Sequence, residues 1–164
     1  MARLNIPSPF PQPDHDHSRC VHRAIDAAER ACARRGSRLT SLRRRVLELV
    51  WDRHEPVKAY ELMDELRDER EGVAPPTVYR SLEFLLDQGL IHRIESMNAY
   101  VGCANPDAPH VGQFLICEVC GGVAEMSDPS VSASIHGAAE RLGFRVTVPV
   151  IEIRGLCPAC DGAG

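Results

Sequence analysis

Four of the seven cysteines in this 164-residue chain stand in two pairs near its C-terminal end. Each pair has two residues between the thiols, as Cys117-x-x-Cys120 and Cys157-x-x-Cys160. A tight turn over this spacing points both sulfurs at one metal ion, and four thiolates complete the tetrahedral shell that structural zinc prefers. A redox Cys-x-x-Cys pair usually follows a strand and opens a helix, whereas we expect both pairs here in loops. The spacing predicts a structural zinc site, with a redox pair or unrelated buried thiols as alternatives.

A second group of possible ligands comprises His92, Cys103, His110 and Glu125. Their nitrogen, sulfur and oxygen donors could form a four-coordinate zinc site. Spacing alone does not select these four residues, and for each one taken singly a packed or surface role is the simpler interpretation. A site filled by four protein ligands leaves no position for a substrate, and no nucleophile stands out beside a base. The residues favour metal binding over an enzyme.

Upstream of the paired cysteines, hydrophobic periodicity and turn residues predict four helices and a hairpin. Apolar residues recur at intervals of three and four, Thr40 is a suitable N-cap, and Pro75 stands at a tolerated first-turn position. This order is the outline of a winged helix-turn-helix, although an ordinary amphipathic surface helix would account for the fourth helix alone. We expect, in chain order, a helix from Ser18 to Gly36, a helix after Thr40, a helix over 59–70, a helix from Pro75 to Gly89, and strands over 90–95 and 98–103.

A different pattern follows a short stretch that contains two prolines. We expect strands over 113–117 and 122–126, a helix from Pro129 to Leu142, and a strand over 144–154 that Pro149 disturbs. About 60 residues are marginal for an independent core, so a metal or a second subunit should stabilise this part. The fold class is α+β, a winged helix-turn-helix followed by a small α/β domain. The predicted division is a flexible N-terminus over 1–17, the winged helix over 18–103, a hinge over 104–110, and a dimerisation and metal-binding domain over 111–164.

Charge and composition restrict the partners. The chain carries a net charge of -4, but residues 1–103 hold 16 basic and 16 acidic side chains, while residues 104–164 hold 3 and 7. An acid-free run over 34–45 contains six arginines, which suits either a phosphate-binding surface or a solvated helix face. No stretch approaches the roughly 20 apolar residues of a membrane span, and no apolar signal segment is present at the N-terminus. We expect a cytoplasmic protein without a membrane partner.

Several stretches resemble the ferric uptake regulator superfamily of bacterial metal-sensing transcription factors. Arg38-Leu-Thr-Ser-Leu-Arg43 and Pro75-Pro-Thr-Val-Tyr-Arg80-Ser-Leu-Glu-Phe-Leu carry the superfamily resemblance. Gly89-Leu-Ile-His92-Arg-Ile-Glu95-Ser, followed by Asn98-Ala-Tyr-Val-Gly-Cys103, is similar to its zinc uptake regulator branch. The resemblance covers about residues 20–160. It implies a winged helix hinged to a dimerisation domain, and a homodimer that represses zinc-uptake genes by binding palindromic double-stranded operator DNA when loaded with zinc.

The resemblance also implies roles for individual residues. It places structural zinc on Cys117, Cys120, Cys157 and Cys160, and a regulatory zinc on His92, Cys103, His110 and Glu125, which makes two zinc ions per subunit. The expected DNA contacts are Tyr60, Thr77, Tyr79, Arg80 and Arg43.

The chain departs from iron-type members of the superfamily at one place. They carry a histidine-rich run before the first cysteine pair, whereas residues 111–116 contain no histidine. This argues against a sensor of iron or peroxide. The alternatives that remain are a sensor of another metal within the superfamily, and a zinc-binding or thiol-redox protein that does not bind DNA.

Overall fold

The computed structural model describes residue 10 and residues 16–53, 55–69 and 71–162. Most of the predicted N-terminal segment 1–17 lies outside the described residues. A 3₁₀ helix, Glu95–Met97, lies between the first two strands. The elements in chain order are α1 (His17–Arg34), α2 (Ser41–Trp51), α3 (Ala59–Glu69), α4 (Pro75–Asp87), β1 (Ile91–Ile94), β2 (Ala99–Gly102), β3 (Gln113–Cys117), β4 (Val123–Met126), α5 (Pro129–Arg141), β5 (Ile151–Gly155) and α6 (Pro158–Asp161).

The first four helices share one apolar core. The Asp16 side chain accepts a hydrogen bond from the Ser18 N–H at 3.0 Å and caps α1, and the Thr40 hydroxyl caps α2 by accepting from the Arg43 N–H. Such a cap contributes about 1 kcal/mol to stability. The core includes the fully buried leucines Leu47, Leu62, Leu66, Leu82 and Leu85. Because α4 turns the face that carries Leu82 and Leu85 into this core, the opposite face of α4 remains exposed to solvent.

The hairpin after α4 is a wing attached to the helices. β1 pairs with β2 in antiparallel register, and Asn98 between them adopts a left-handed conformation with φ of 47°. The backbone of Val57, just before α3, exchanges two hydrogen bonds with Tyr100 on β2, at 2.9 and 2.8 Å. The wing is thereby fixed relative to α3, which completes the predicted winged helix-turn-helix.

The C-terminal part is a three-stranded sheet with the strand order β4-β3-β5. β3 pairs with β4 in antiparallel and with β5 in parallel orientation, and α5 lies in the connection between β4 and β5. The buried amide of Gln113 donates from Nε2 to the Asp128 carbonyl at 2.8 Å and to the Ser132 hydroxyl at 3.1 Å. These bonds hold the beginning of α5 against β3. No helix among the described residues has the length and apolar composition needed to cross a bilayer.

The predicted strand over 144–154 is wrong for its first seven positions, because β5 begins only at Ile151. Pro149 has no N–H to donate to a strand ladder, and Phe144, Val148 and Val150 stay exposed. Valine and isoleucine alternation without a strand partner was therefore a misleading signal. The short helix α6, in which Cys160 lies, was not predicted either.

The wing and the C-terminal sheet share a second, smaller apolar cluster. Ile94 on β1 is fully buried against Phe114 and Ile116 on β3. The predicted hinge over 104–110 thus joins two parts that already contact each other. Arg35, the residue directly after α1, also contacts the hinge. Its side chain donates a hydrogen bond to the Pro106 carbonyl at 2.9 Å. The domain limits themselves remain a prediction.

Candidate metal centres and nucleic-acid interface

The two Cys-x-x-Cys pairs meet in the C-terminal part of the chain. After β3 the chain turns at Gly121, which has a φ of 72° and donates its N–H to the Cys117 carbonyl at 3.0 Å. The second pair spans α6, whose N-cap is Cys157, so the prediction that both pairs lie in loops is wrong for this pair. The Cys157 N–H donates to the Cys117 sulfur at 3.4 Å. The four ligand atoms lie within 4.8 Å of one another and belong to Cys117, Cys120, Cys157 and Cys160.

The geometry and charge of these cysteines fit a zinc ion. The sulfurs of Cys120 and Cys157 are 3.8 Å apart, and a tetrahedron with Zn–S bonds of about 2.3 Å has edges of about 3.8 Å. The backbone N–H groups of Cys120 and Cys157 lower the pKa of Cys117 to about 6. Hydrogen bonding to Cys157 raises the pKa of Cys160 to about 12. A thiolate thus lies beside thiols that a cation would deprotonate, which is the chemistry of a structural zinc site.

The second predicted ligand set also converges, although its members come from three places. His92 lies on β1, Cys103 directly follows β2, and Glu125 lies on β4. His110 lies in the connection between β2 and β3, which includes the predicted hinge over 104–110. Their ligand atoms lie within 4.8 Å of one another. The Nε2 atoms of His92 and His110 lie 2.9 and 2.6 Å from Glu125 Oε1, and the Cys103 sulfur lies 3.7 Å from His110 Nε2. The wing, the connection and the sheet therefore meet at this cluster.

Burial and neighbouring charge shift the pKa values of this cluster. Burial, together with the Glu125 carboxylate, raises the pKa of Cys103 to about 12. Burial would raise the pKa of Glu125 as well, but the neighbouring His92, the Ala104 N–H and His110 hold it below its usual range. Burial alone would lower the pKa of His110, but the Ala108 carbonyl and Glu125 raise this pKa overall. The cluster therefore contains a carboxylate, a protonated thiol and a histidine that readily accepts a proton.

The second cluster fits zinc by two observations. His92 Nε2 is buried and lies 2.9 Å from Glu125 Oε1, and it satisfies the geometric criteria for a hydrogen bond with no partner among the described residues. A metal ion would satisfy this nitrogen. The separation of 3.7 Å between Cys103 sulfur and His110 nitrogen is close to the edge of about 3.6 Å expected for a tetrahedral zinc with these two donors. A thiolate with two imidazoles suits zinc much better than magnesium, calcium or manganese.

Sequence reasoning missed the groups that hold these ligands in place. The Ala108 carbonyl lies 2.9 Å from His110 Nδ1, and the Ala104 N–H donates to Glu125 Oε2 at 3.0 Å. The ring of Phe114 packs edge-on against His92 with 5.2 Å between centroids. Two of these groups are backbone atoms of unremarkable residues, and no sequence pattern distinguishes them. The position of Phe114 on a predicted strand was the one available signal.

Four of the five predicted DNA contacts lie on an exposed surface. Thr77, Tyr79 and Arg80 are exposed at the beginning of α4, and Tyr60 is exposed on α3. Tyr60 and Tyr79 line one groove of about 280 Å³, together with Lys58, Met97, Asn98 and residues beside them. The groove therefore runs from the two helices to the tip of the wing.

Arg43 differs from the other four. It is half-buried, and its guanidinium lies 3.6 Å from the ring centroid of Phe84 on α4 while donating to the Arg38 carbonyl at 2.8 Å. Much of the surrounding arginine run is also neutralised, since Arg34, Arg44 and Arg45 form ion pairs with carboxylates. The run is thus less of a free cationic surface than its sequence suggests.

Comparison with known proteins agrees with this geometry. Residues 34–154 match the model of the ferric uptake regulator family. The chain belongs to the ferric uptake regulator family. Its sequence is 44% identical over 134 residues to the zinc uptake regulation protein of Escherichia coli (strain K12), an alignment that covers 81% of this chain and 78% of that relative. Members of this family are transcriptional regulators and not enzymes.

Solved structures of zinc uptake regulators have the same fold. A zinc uptake regulator complexed with zinc and DNA aligns with a TM-score of 0.81 and 41% identity, over 87% of this chain and 96% of that one. Holo XcZur aligns with a TM-score of 0.78 and 43% identity over 90% and 99% of the two chains. Apo XcZur is 42% identical over 87% and 99%, but its TM-score is 0.53. Since the sequences agree equally well, the arrangement of the present chain is closer to the holo form.

Proposed function

We propose that this chain is a zinc-responsive transcriptional repressor of zinc-uptake genes, which binds operator DNA as a zinc-loaded homodimer. The observation that carries the proposal is the convergence of His92, Cys103, His110 and Glu125 from the wing, the connection and the C-terminal sheet. A metal bound by all four restrains the winged helix relative to the sheet. Zinc then favours one arrangement, and by linkage DNA that prefers the same arrangement raises the zinc affinity by the same factor.

Each subunit would hold two zinc ions with different roles. The four cysteines bind the first ion within the C-terminal part and stabilise its fold. The second set of ligands, His92, Cys103, His110 and Glu125, is called the mixed cluster. It binds the second ion, which restrains the winged helix relative to the C-terminal sheet. The protein's own contribution is to orient the ligands, through the hydrogen bonds of Ala104 to Glu125 and of His110 to the Ala108 carbonyl, and through the packing of Phe114 against His92.

We propose that the C-terminal part forms the dimer. The outer edge of β5 has no strand partner in the described part of the chain, and several large apolar side chains of the C-terminal part are exposed. They are Ile135, Leu142, Phe144, Val148, Val150, Ile153 and Leu156. A two-fold dimer presents two copies of α4, so its operator should be palindromic. Operator DNA lies in the bacterial cytoplasm, which is the compartment we propose.

The DNA-contacting surface we propose comprises the groove that Tyr60 and Tyr79 line and the exposed side chains of Thr77 and Arg80 on α4. All four side chains are exposed and hence available to a ligand. Arg43 acts differently, because its contact with Phe84 joins α2 to α4 and supports the orientation of the recognition helix.

The regulatory site is tested by replacing Cys103 with serine and measuring operator binding against free zinc. We expect the zinc response, about 5-fold to 150-fold in DNA affinity for coupling of this kind, to be lost in Cys103→Ser. The control is Cys20→Ser on α1, a half-buried thiol outside both clusters, which should retain the response. Full zinc dependence in Cys103→Ser would exclude this assignment.

The DNA surface is tested with Arg80→Ala at saturating zinc. A base contact predicts a loss of about 1–3 kcal/mol at one operator position, together with relaxed specificity there. Binding to the operator and to single-base variants in fluorescence anisotropy measures both effects. Uniform weakening across all sequences would instead assign Arg80 to a phosphate. Unchanged binding to every sequence would remove Arg80 from the interface.

A further inference from the structure

One row of side chains crosses the C-terminal sheet and faces the wing. Phe114 on β3 is the register partner of Glu125 on β4 and of Glu152 on β5. Paired residues of neighbouring strands point to the same face of a sheet, so the three side chains lie side by side. Glu125 and Phe114 both contact His92 on the wing. The row therefore begins at the mixed metal cluster.

The far end of the row also contacts the wing, through Glu152. Its carboxylate accepts hydrogen bonds from the backbone N–H of Glu95 at 2.6 Å and of Ser96 at 3.2 Å. These two residues begin the 3₁₀ helix at the wing tip, where backbone N–H groups have no partner within the helix. Hydrogen bonds to a carboxylate are about twice as strong as neutral ones. Glu152 thus joins β5 directly to the wing, through groups that are not among the proposed metal ligands.

A second polar contact, between α1 and the connection that joins β2 to β3, is weaker than that of Glu152. Arg34 on α1 forms an ion pair with Asp107, and their side chains are 53% and 54% exposed. An ion pair so exposed contributes about 0–1 kcal/mol. Glu152 is half-buried beside Phe114 of the apolar cluster, and so is less exposed than either side chain of that ion pair, although its hydrogen bonds to the wing lie at an exposed edge.

We infer that Glu152 is a positioning residue that attaches the wing to the sheet independently of metal, and so lowers the zinc concentration at which the operator is bound. The inference rests on the proposed zinc-dependent repressor function. Zinc restrains only one end of the row. Because the Glu152 contact belongs to the same arrangement as the metal cluster, it raises the fraction of metal-free molecules in which His92 lies near Glu125 and His110. A larger fraction of metal-free molecules is then ready to bind, which raises the apparent zinc affinity.

The first test measures the contact itself, without zinc at the mixed cluster and without DNA. Hydrogen exchange of the Glu95 and Ser96 amides is followed in the full-length wild type, in Glu152→Gln and in Glu152→Ala. We expect protection in the wild type, weaker protection in the glutamine variant, which keeps one acceptor oxygen, and loss in the alanine variant. Equal protection in all three proteins would overturn the inference whether or not the chain represses transcription.

The second test measures the consequence by titrating operator binding with zinc. For Glu152→Ala we expect the half-maximal zinc concentration to rise about five- to tenfold, and for Glu152→Gln about two- to threefold, while operator affinity at saturating zinc changes less than about twofold. Glu71→Gln, which removes the same charge from an exposed loop before α4, is the control and should not shift the midpoint. A wild-type midpoint in Glu152→Ala would reject the role. Zinc-independent binding by every protein, wild type included, would instead contradict the repressor proposal.

Discussion

The two clusters of proposed metal ligands differ in what they connect. The four cysteines come from the turn after β3 and from α6, both within the C-terminal part. The mixed cluster takes ligands from the wing, from the connection and from β4. A metal within one folded unit stabilises that unit, whereas a metal between two units restrains their arrangement. Position in the fold, more than ligand type, therefore separates a structural ion from a regulatory one.

The ligand chemistry follows the same division. Four sulfurs give a closed shell with a high affinity for zinc, as suits an ion that stays in place. The mixed cluster holds two histidines and a carboxylate, with one thiol whose pKa burial and Glu125 raise to about 12. Zinc must displace protons at both sites, since the pKa of Cys160 is also raised to about 12, so the weaker binding expected at the mixed cluster rests on its having one thiolate ligand instead of four. The second ion should therefore exchange over a range that a sensor can use.

The largest effect that separates the two sites is expected from Cys157→Ser. Serine is itself a favourable N-cap for α6, so the replacement removes mainly a metal ligand. We expect the free energy of unfolding to fall by about 4 kcal/mol or more, because structural zinc contributes directly to folding. Chemical denaturation and native mass spectrometry measure the stability and the zinc content, which should fall by one ion per subunit.

The matched control is Cys32→Ser on α1, another buried cysteine that is only 2% exposed and outside both clusters. It should cost about 1 kcal/mol and leave the zinc content unchanged. An equal loss of stability in the two variants, with zinc retained in both, would show that Cys157 acts as a core residue and not as a ligand.

Acidification should weaken zinc binding at the mixed site. Cys103, with its pKa raised to about 12, releases a proton when zinc binds, so zinc affinity should fall about tenfold for each unit of decreasing pH. The pKa of His110 is also raised, so its protonation steepens the fall once the pH passes below that value. Competition with a chromophoric chelator between about pH 8 and about pH 6 measures the dependence. A zinc affinity independent of pH would argue against a thiol ligand at this site.

A smaller effect on the mixed site is expected from Gly112→Ala. A Cβ atom at Gly112 would lie 2.6 Å from the ring of Phe114 and 3.4 Å from His92 Nδ1. The buried ring has to move and to shift His92, so we expect a loss of about 1–2 kcal/mol in stability and a weaker second zinc, with the first zinc retained. Calorimetric zinc titration measures this. Gly155→Ala on β5, where a Cβ meets no atom within 4 Å, is the control. Equal zinc affinities in the two variants would show that the Gly112 contact does not position His92.

Local signals made much of the fold predictable. Thr40 caps α2, Pro75 begins α4, and Asp128 caps α5, as their side-chain chemistry indicates. The prediction of a strand over 144–150 was wrong because a strand requires a pairing partner, and apolar alternation does not indicate whether a partner is present. The arginine run over 34–45 was also ambiguous. Whether a guanidinium binds a phosphate or a neighbouring carboxylate depends on which acid the fold brings near it, as with Arg45 and Glu69.

The sequence by itself determined the paired cysteines, since two thiols separated by two residues can reach one ion whatever the rest of the chain does. Only the tertiary structure decided that the ligand atoms of His92 and Glu125 lie within 4.8 Å of those of Cys103 and His110. Their separation along the chain is large, and the register of β3 with β4 and the packing of Ile94 on Phe114 bring them together. The contact of Glu152 with the wing is likewise invisible in sequence, because its partners are backbone N–H groups that every residue except proline carries.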